Sequence, residues 1–407
     1  MGSPNQYNSA GSMKPLRIAI FSDSVWPVLN GVSISIQLLV DELRNQGHHV
    51  HIFAPRFAGY CETDPNTIRF RALETPWSKG HPIAYPPYWR KLRRFRLQEF
   101  DVIHTHTPFM LGFVGLRWAE SHQIPIVATY HTLYDRYAHY MSAFPRRYIR
   151  FRIAKHTNFY YNSVNQVITP SEIAKRWLLR HGVETPITVI PTGTPKRQLI
   201  PRAEARQHLG ILPDHRILLY VGRLAKEKNL ETLLGMAKRV TEQEQNVRLW
   251  LVGDGPYRDE CLQIASKHGI GDKVKFVGAV PRGEVDKYYA AADLFTFASV
   301  TETQGLVLNE AMQYGIPAVA VDGGGATEAI VQGENGFAVK NDATMLADQV
   351  LTVLRDEKLY ARLCAGAERS AKQNTTEIMC ARILEVYQAA INQGGVPIER
   401  PQPTFVS

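Results

Sequence analysis

Along this chain, short apolar runs alternate with segments of helical period, and the alternation runs through twice. The first pass opens with an apolar run at 16–22, then a loop holding Pro27, Asn30 and Gly31. A helix follows over 33–46, with Ile34, Leu38, Leu39 and Leu43 on one face, and Gly47 stops it. Strands are expected at 49–54, 101–106, 125–130 and 166–169, with a helix at 111–121. After a stretch rich in Pro and Gly between 192 and 214 the pattern restarts. Strands are then expected at 217–222, 247–252, 274–277, 294–298 and 317–321, with a helix at 230–241. Continuous apolar strands joined through helices require parallel sheets covered on both faces. The expected fold class is therefore α/β, with two Rossmann-like, doubly wound parallel-sheet domains. The boundaries read as a loose tail at 1–13, a first domain at 14–200, a second at 201–375, and a closing helix and tail at 376–407 that packs back toward the first domain.

Composition narrows the class. A hydrophobic share of 44% with 21% charged residues is globular, which argues against disorder. No apolar run approaches the ~18 residues that span a bilayer, and the polar start, 1–12, resembles no signal peptide. The four cysteines, Cys61, Cys261, Cys364 and Cys380, are scattered without a C-x-x-C pair. That usage suits a reducing cytoplasm and offers neither a zinc nor a disulfide framework. Charge is lopsided: residues 1–199 hold 24 Lys and Arg against 12 Asp and Glu, whereas 200–407 hold 23 against 26. A basic first half invites a polyanion such as nucleic acid, anionic lipid or a phosphorylated substrate.

In doubly wound sheets, ligands bind beyond the carboxyl ends of the strands. The strand at 294–298 runs into Glu302, Gln304, Gly305, Leu306 and Val307, with Glu310 in the helix that follows. Residues 304–307 form a helix start with a glycine, where backbone N–H groups favour phosphate. One carboxylate on either side suits a sugar nucleotide, with one for hydroxyls of the transferred sugar and the other for the ribose diol. The same segment suits equally a capping carboxylate and a solvated helix residue. After the strand at 217–222 come Gly222, Arg223, Lys226 and Lys228. Cations at a helix start run against the usual preference for acids there. They suit a leaving diphosphate, which Arg223 can grip with two bonds and Lys228 can meet as a point charge.

Together, Gly222-Arg223 with Lys228, the Gly253-Asp254-Gly255-Pro256 turn, and Glu302 through Asn309-Glu310-Ala311 resemble the retaining glycosyltransferases of family four. The resemblance covers residues 16 to 392. It implies the GT-B fold, two Rossmann-like domains facing across a cleft. It also implies that Arg223 and Lys228 bind the donor diphosphate, Glu310 the ribose and Glu302 the sugar, with Gly278 to Val280 beside the nucleobase. Asn30-Gly31-Val32-Ser33 looks like the family's glycine loop, and His131 matches its active-site histidine. His104 and His106 share one strand face but lack an evident third metal ligand, and no Asp-x-Asp occurs. The expectation is a reaction without metal or other cofactor. The family also implies retention, by same-face substitution in which the leaving diphosphate helps deprotonate the acceptor.

Two basic-aromatic segments bear on the acceptor. In the first, apolar Tyr85, Tyr88, Trp89, Leu92 and Phe95 follow a helical period among Arg90, Lys91, Arg93, Arg94 and Arg96. That pattern suits a helix lying on an anionic membrane. The second, 144–155, sets Arg146, Arg147, Arg150, Arg152 and Lys155 among Tyr148, Ile149 and Phe151, and suits equally an ordinary helix packed on the sheet. No recognition helix or RNA-binding motif accompanies them, so nucleic acid is not the expected partner. Within the family, 103–106, 129–140, 170–172 and 190–193 are similar to bacterial diacylglycerol α-glucosyltransferases. The expectation is a peripheral enzyme on the inner face of the cell membrane, moving glucose from UDP-glucose to a lipid. The alternatives are another hexose or acceptor, or a sugar-nucleotide epimerase of the same fold.

Overall fold

The computed structural model describes residues 14–75, 80, 82–85, 88, 92, 100–132 and 146–396. The expected tail, 1–13, lies outside them. Two compact units emerge, one formed by Met1–Gly193 with Thr376–Ser407, the other by Thr194–Thr375. The chain leaves the first unit at 193/194, earlier than the expected boundary at 200. Thr194 already belongs to the second unit, where its N–H and hydroxyl both donate to the Asn374 carbonyl (2.9 and 3.0 Å).

The strands of the first unit are β1 (Arg17–Phe21), β2 (His49–Pro55), β3 (Thr67–Phe70), β4 (Ala72–Leu73), β5 (Ile83–Ala84), β6 (Val102–Thr105), β7 (Ile126–Thr129), β8 (Gln166–Thr169) and β9 (Ile187–Val189). Seven of them form a sheet in the order β3-β2-β1-β6-β7-β8-β9, parallel throughout, while β4 and β5 make a small antiparallel pair. Its central strands are buried on both faces, so they read as unbroken apolar runs.

One face is covered by the helix Gly31–Asn45, whose Ile36, Leu39, Val40 and Leu43 share a cluster with Met379, Ile383, Leu384 and Tyr387 of the helix Thr376–Gln393. The helix Thr376–Gln393 thus completes the core of the first unit. Gly31–Asn45 starts two residues before the expected helix because Asn30 caps it. The Asn30 side chain accepts from Ser33 N–H (2.9 Å) while the Ser33 hydroxyl accepts from Asn30 N–H (3.0 Å). Tyr88, expected at a membrane surface, instead packs edge-on against Phe70 and donates its hydroxyl to the Ala84 carbonyl (2.8 Å). With Leu92 it lies against the core, because an apolar stripe beside an uncovered sheet face gains most by burial. Trp89, Arg90, Lys91, Arg93, Arg94 and Arg96 lie outside the described residues.

The second unit holds β10 (Arg216–Val221), β11 (Val247–Val252), β12 (Val274–Gly278), β13 (Leu294–Phe297), β14 (Ala318–Val321) and β15 (Gly336–Val339). They form one parallel sheet, β12-β11-β10-β13-β14-β15. In each unit the strand order reverses once beside the first strand, between β1 and β6 and between β10 and β13. Those switch points open crevices at the strands' carboxyl ends.

Candidate active site

At the switch point of the first unit, β1 ends in Ser22-Asp23 and β6 in His106-Thr107. Asp23 receives the Thr107 hydroxyl (2.7 Å) and the Leu111 N–H (3.2 Å), while its own N–H donates to the Thr107 oxygen (3.0 Å). It thereby caps the helix Met110–His122, whose own N-cap, Phe109, supplies no side-chain bond. Burial outweighs these bonds and holds the Asp23 carboxyl above its ordinary pKa.

Three imidazoles gather nearby. His104 on β6 and His106 just past its end fall on one face, with ring centroids 4.0 Å apart. His104 is fully buried, bonded through Nδ1 to the Tyr387 hydroxyl and through Nε2 to the Thr129 hydroxyl, both at 2.7 Å. His106 Nδ1 lies 2.9 Å from His131 Nε2, the rings nearly parallel, and His106 Nε2 is buried without a partner. Burial lowers the pKa of His104 to about 3 and that of His131 to about 4, and lowers His106 well below the ordinary imidazole value. All three are neutral near pH 7, so in the His106–His131 bond one ring donates its N–H and the other accepts. Whichever ring donates, His131 Nε2 is engaged and only its Nδ1 side can meet a substrate. Both nitrogens of His104 and the Nδ1 of His106, a pair for which the sequence offers no third metal ligand, are held in these hydrogen bonds. Among the described residues, no group of three or more His, Cys, Asp or Glu is arranged to hold a metal ion.

In the second unit, the loops after β10, β11 and β12 are tied together. Gly222 N–H donates to the Val252 carbonyl (2.9 Å), Leu224 N–H to Asp254 (3.0 Å) and Gly253 N–H to Gly278 (2.8 Å). A Cβ on Gly253 would lie 2.0 Å from the Gly222 carbonyl oxygen, and one on Gly255 2.3 Å from that of Leu224. Backbone approach this close admits only glycine. Arg223 is exposed and meets no carboxylate among the described residues. Lys228 ends a 3-10 turn, Lys226–Lys228, closed by Asn229 in the left-handed conformation (φ 56°). Asn tolerates that region, and its amide donates to the Ala298 carbonyl at the end of β13 (3.1 Å), bringing the turn beside Glu302.

There Lys228 and Glu302 form an ion pair, both largely buried, with the Ser299 hydroxyl 3.3 Å from the same carboxylate oxygen. The alternative role of Glu302 as a cap is set aside. The helix Leu306–Gln313 has Gly305 as its N-cap and no side-chain cap, so its first N–H groups remain available to an anion. Glu310 is not a solvated helix residue either. Its Oε1 accepts from Arg197 (2.8 Å) and its Oε2 from the Tyr289 hydroxyl (2.9 Å), and Arg197 also binds Asp286. Each carboxylate oxygen keeps a second lone pair. Sequence reasoning missed Arg197, Tyr289 and Asp286, which carry no local signal. It also missed Asp23 and Ser299, which sit just past strands and were open to the same argument as Arg223.

The description "Glycosyltransferase Family 4" matches residues 29–197, and "Glycosyl transferases group 1" matches 201–370. The alpha-monoglucosyldiacylglycerol synthase of Streptococcus pneumoniae is 34% identical over 314 residues, covering 75% of this chain and 71% of that protein. The chain belongs to glycosyltransferase family four. The synthase of the same name from Acholeplasma laidlawii is 28% identical, over 95% of this chain and 100% of its own length. A GDP-mannose-dependent alpha-mannosyltransferase of Corynebacterium glutamicum is 27% identical, over 93% and 90%. Among solved structures, sucrose-phosphate synthase of Thermosynechococcus elongatus aligns with a TM-score of 0.76 at 24% identity, over 93% of this chain and 100% of that one. Anabaena HepE in complex with UDP and glucose aligns at 0.73 and 20%, over 92% and 100%. The fold of this family-four enzyme is GT-B.

Proposed function

We propose that this glycosyltransferase moves glucose from UDP-glucose to 1,2-diacylglycerol with retention, giving α-glucosyl-diacylglycerol, as a peripheral enzyme on the inner face of the cell membrane. The observation that carries the reading is the 34% identity to a protein named alpha-monoglucosyldiacylglycerol synthase. Arg223 and Lys228 neutralise the diphosphate, with the uncapped start of the helix Leu306–Gln313 and residues Gln304, Gly305, Leu306 and Val307 around it. Gly31, first residue of its own helix, gives the diphosphate access because a Cβ there would meet only open space. Glu302 binds sugar hydroxyls and Glu310 the ribose diol, held in one rotamer by Arg197 and Tyr289. Gly278 and Val280 flank the base. The bond from the anomeric carbon to the diphosphate breaks and the bond to the acceptor oxygen forms on the same face. The acceptor proton passes to the departing phosphate oxygen, and His131 presents Nδ1 beside the reacting carbon. With cations supplying the counter-charge, no metal is needed.

The test is transfer from labelled UDP-glucose to diacylglycerol in anionic liposomes containing a chelator, followed by organic extraction. A monoglucosyl lipid of α configuration is expected, with UDP released only when acceptor is present. UDP-sugar turnover without acceptor would favour the epimerase. Lipid labelled only from GDP-mannose would favour the mannosyltransferase reading, which the Corynebacterium relative supports. Loss of transfer on chelation, restored by a divalent ion, would overturn metal independence.

A further inference from the structure

Tyr88 and Leu92 lie against the core, whereas the helix Arg146–Tyr161 of the same basic unit keeps rings and cations exposed. Ile149, Thr157, Tyr160 and Tyr161 are buried, yet Tyr148, Phe151 and Phe159 are 51%, 58% and 44% exposed. Tyr148, Phe151, Arg152, Lys155 and Phe159 recur at i, i+3, i+4, i+7 and i+11, a single ridge on an arc of about 100°. Phe109 and Met110, exposed at 46% and 42%, continue it, since Phe109 stacks on His156 and Phe113 on Phe159. Burying aromatic rings is worth most where they pack, so a ridge of rings about half exposed marks a contact surface.

We propose that this ridge is the membrane-docking surface, its rings entering the headgroup boundary of an anionic bilayer while its cations meet lipid phosphates. The proposal rests on the reading that the acceptor is a membrane lipid. Charge selects the occupant. The helix holds Arg146, Arg147, Arg150, Arg152 and Lys155 and not one carboxylate, so a second copy would set like charges face to face. A surface of phosphates over hydrocarbon satisfies both the cations and the rings. The ridge is also fastened to the histidine-bearing strand. Tyr160 donates its hydroxyl to Thr105 (2.8 Å), His156 Nε2 bonds the Pro108 carbonyl (2.6 Å), and Phe109 follows His106 by three residues. Docking the helix therefore fixes β6, and with it His104 and His106, relative to the bilayer.

The experiment compares the full-length protein with Tyr148→Ser/Phe151→Ser/Phe159→Ser and with Arg147→Glu/Arg152→Glu/Lys155→Glu. Binding is measured by sedimentation with vesicles of phosphatidylcholine alone or with phosphatidylglycerol, and transfer with diacylglycerol in the same vesicles or in detergent micelles. The aromatic variant is expected to lose on the order of tenfold in partitioning to both kinds of vesicle. The charge variant should lose as much only on the anionic ones, and both should keep micellar transfer. A Phe151→Trp protein should be quenched by brominated lipid. Unchanged vesicle binding and no quenching would overturn the proposal, as would variants that abolish a dimer or RNA binding while vesicle binding persists. Should the parent protein bind vesicles through this face yet glucosylate no lipid, the functional reading falls and the docking surface stands.

Discussion

The two crevices are built from the same topology and opposite electrostatics. In the second unit the chemistry-bearing groups are ions in partnership, Lys228 with Glu302 and Arg197 with Glu310 and Asp286, beside an exposed Arg223. In the first they are uncharged imidazoles, two of them buried and His131 half-buried, and the histidines whose pKa burial depresses, His48, His51, His104, His106 and His131, all belong to that unit. A site that meets a diphosphate keeps its charges ready and mutually neutralised until the ligand replaces the partner. A site that meets an alcohol and a developing cation gains from dry, neutral hydrogen-bonding groups, where each dipole acts in a low dielectric.

The contrast is broken most strongly at Lys228. Lys228→Ala and Glu302→Ala should each lower kcat about 10²–10³-fold. The double variant should lose more than either alone, because Lys228 meets the diphosphate and Glu302 the sugar once the ligand parts them. A double variant no worse than either single one in a double-mutant cycle would show that the pair acts as a unit. His131→Ala should cost about 10²-fold, and His106→Asn less, since an amide can still bond His131 and hold its tautomer. If His106→Asn equals His131→Ala in kcat, the second imidazole does more than position the first.

Acid should separate the units. A histidine depressed from 6.5 to about 4 leaves the unfolded chain with more bound protons between those values, so its contribution is full above about pH 6.5 and is lost as pH falls toward 4. In calorimetry from about pH 7.5 down to about 5, the transition of the first unit should fall and that of the second hold, with hydrogen exchange identifying which is which. Parallel decline would mean that the buried imidazoles do not govern acid stability. The smallest effect is expected from Tyr387→Phe, which removes one bond to His104 and should cost the first unit about 1 kcal/mol with no change in the melting of the second.

Where sequence reading succeeded and where it missed follows from burial. The central strands carry unbroken apolar runs because both faces are covered, and they were legible. Of the unread strands, β4 and β5 are only two residues long, and β3, β9 and β15 lie at sheet edges, where only one residue of TIRF, none of ITV and one of GFAV is buried. With so little apolar demand they leave no pattern. The site divides likewise. Arg223, Lys228, Glu302 and His131 follow strands directly, so topology alone nominates them. Arg197 and Tyr387 reach the sites from distant segments, Tyr387 from 283 positions beyond His104, and only the folded chain reveals them.

That last contact has a consequence for how the protein is made. The ribosome delivers residues 194–375 as one uninterrupted stretch whose ends join at Thr194 and Asn374, so this portion can settle while synthesis continues. The first-made portion must wait until the helix Thr376–Gln393 emerges, because Met379, Ile383, Leu384 and Tyr387 belong to its core. A nascent chain is therefore most exposed to misassembly at its beginning, and a premature stop before residue 376 would spare the younger portion and strand the older one.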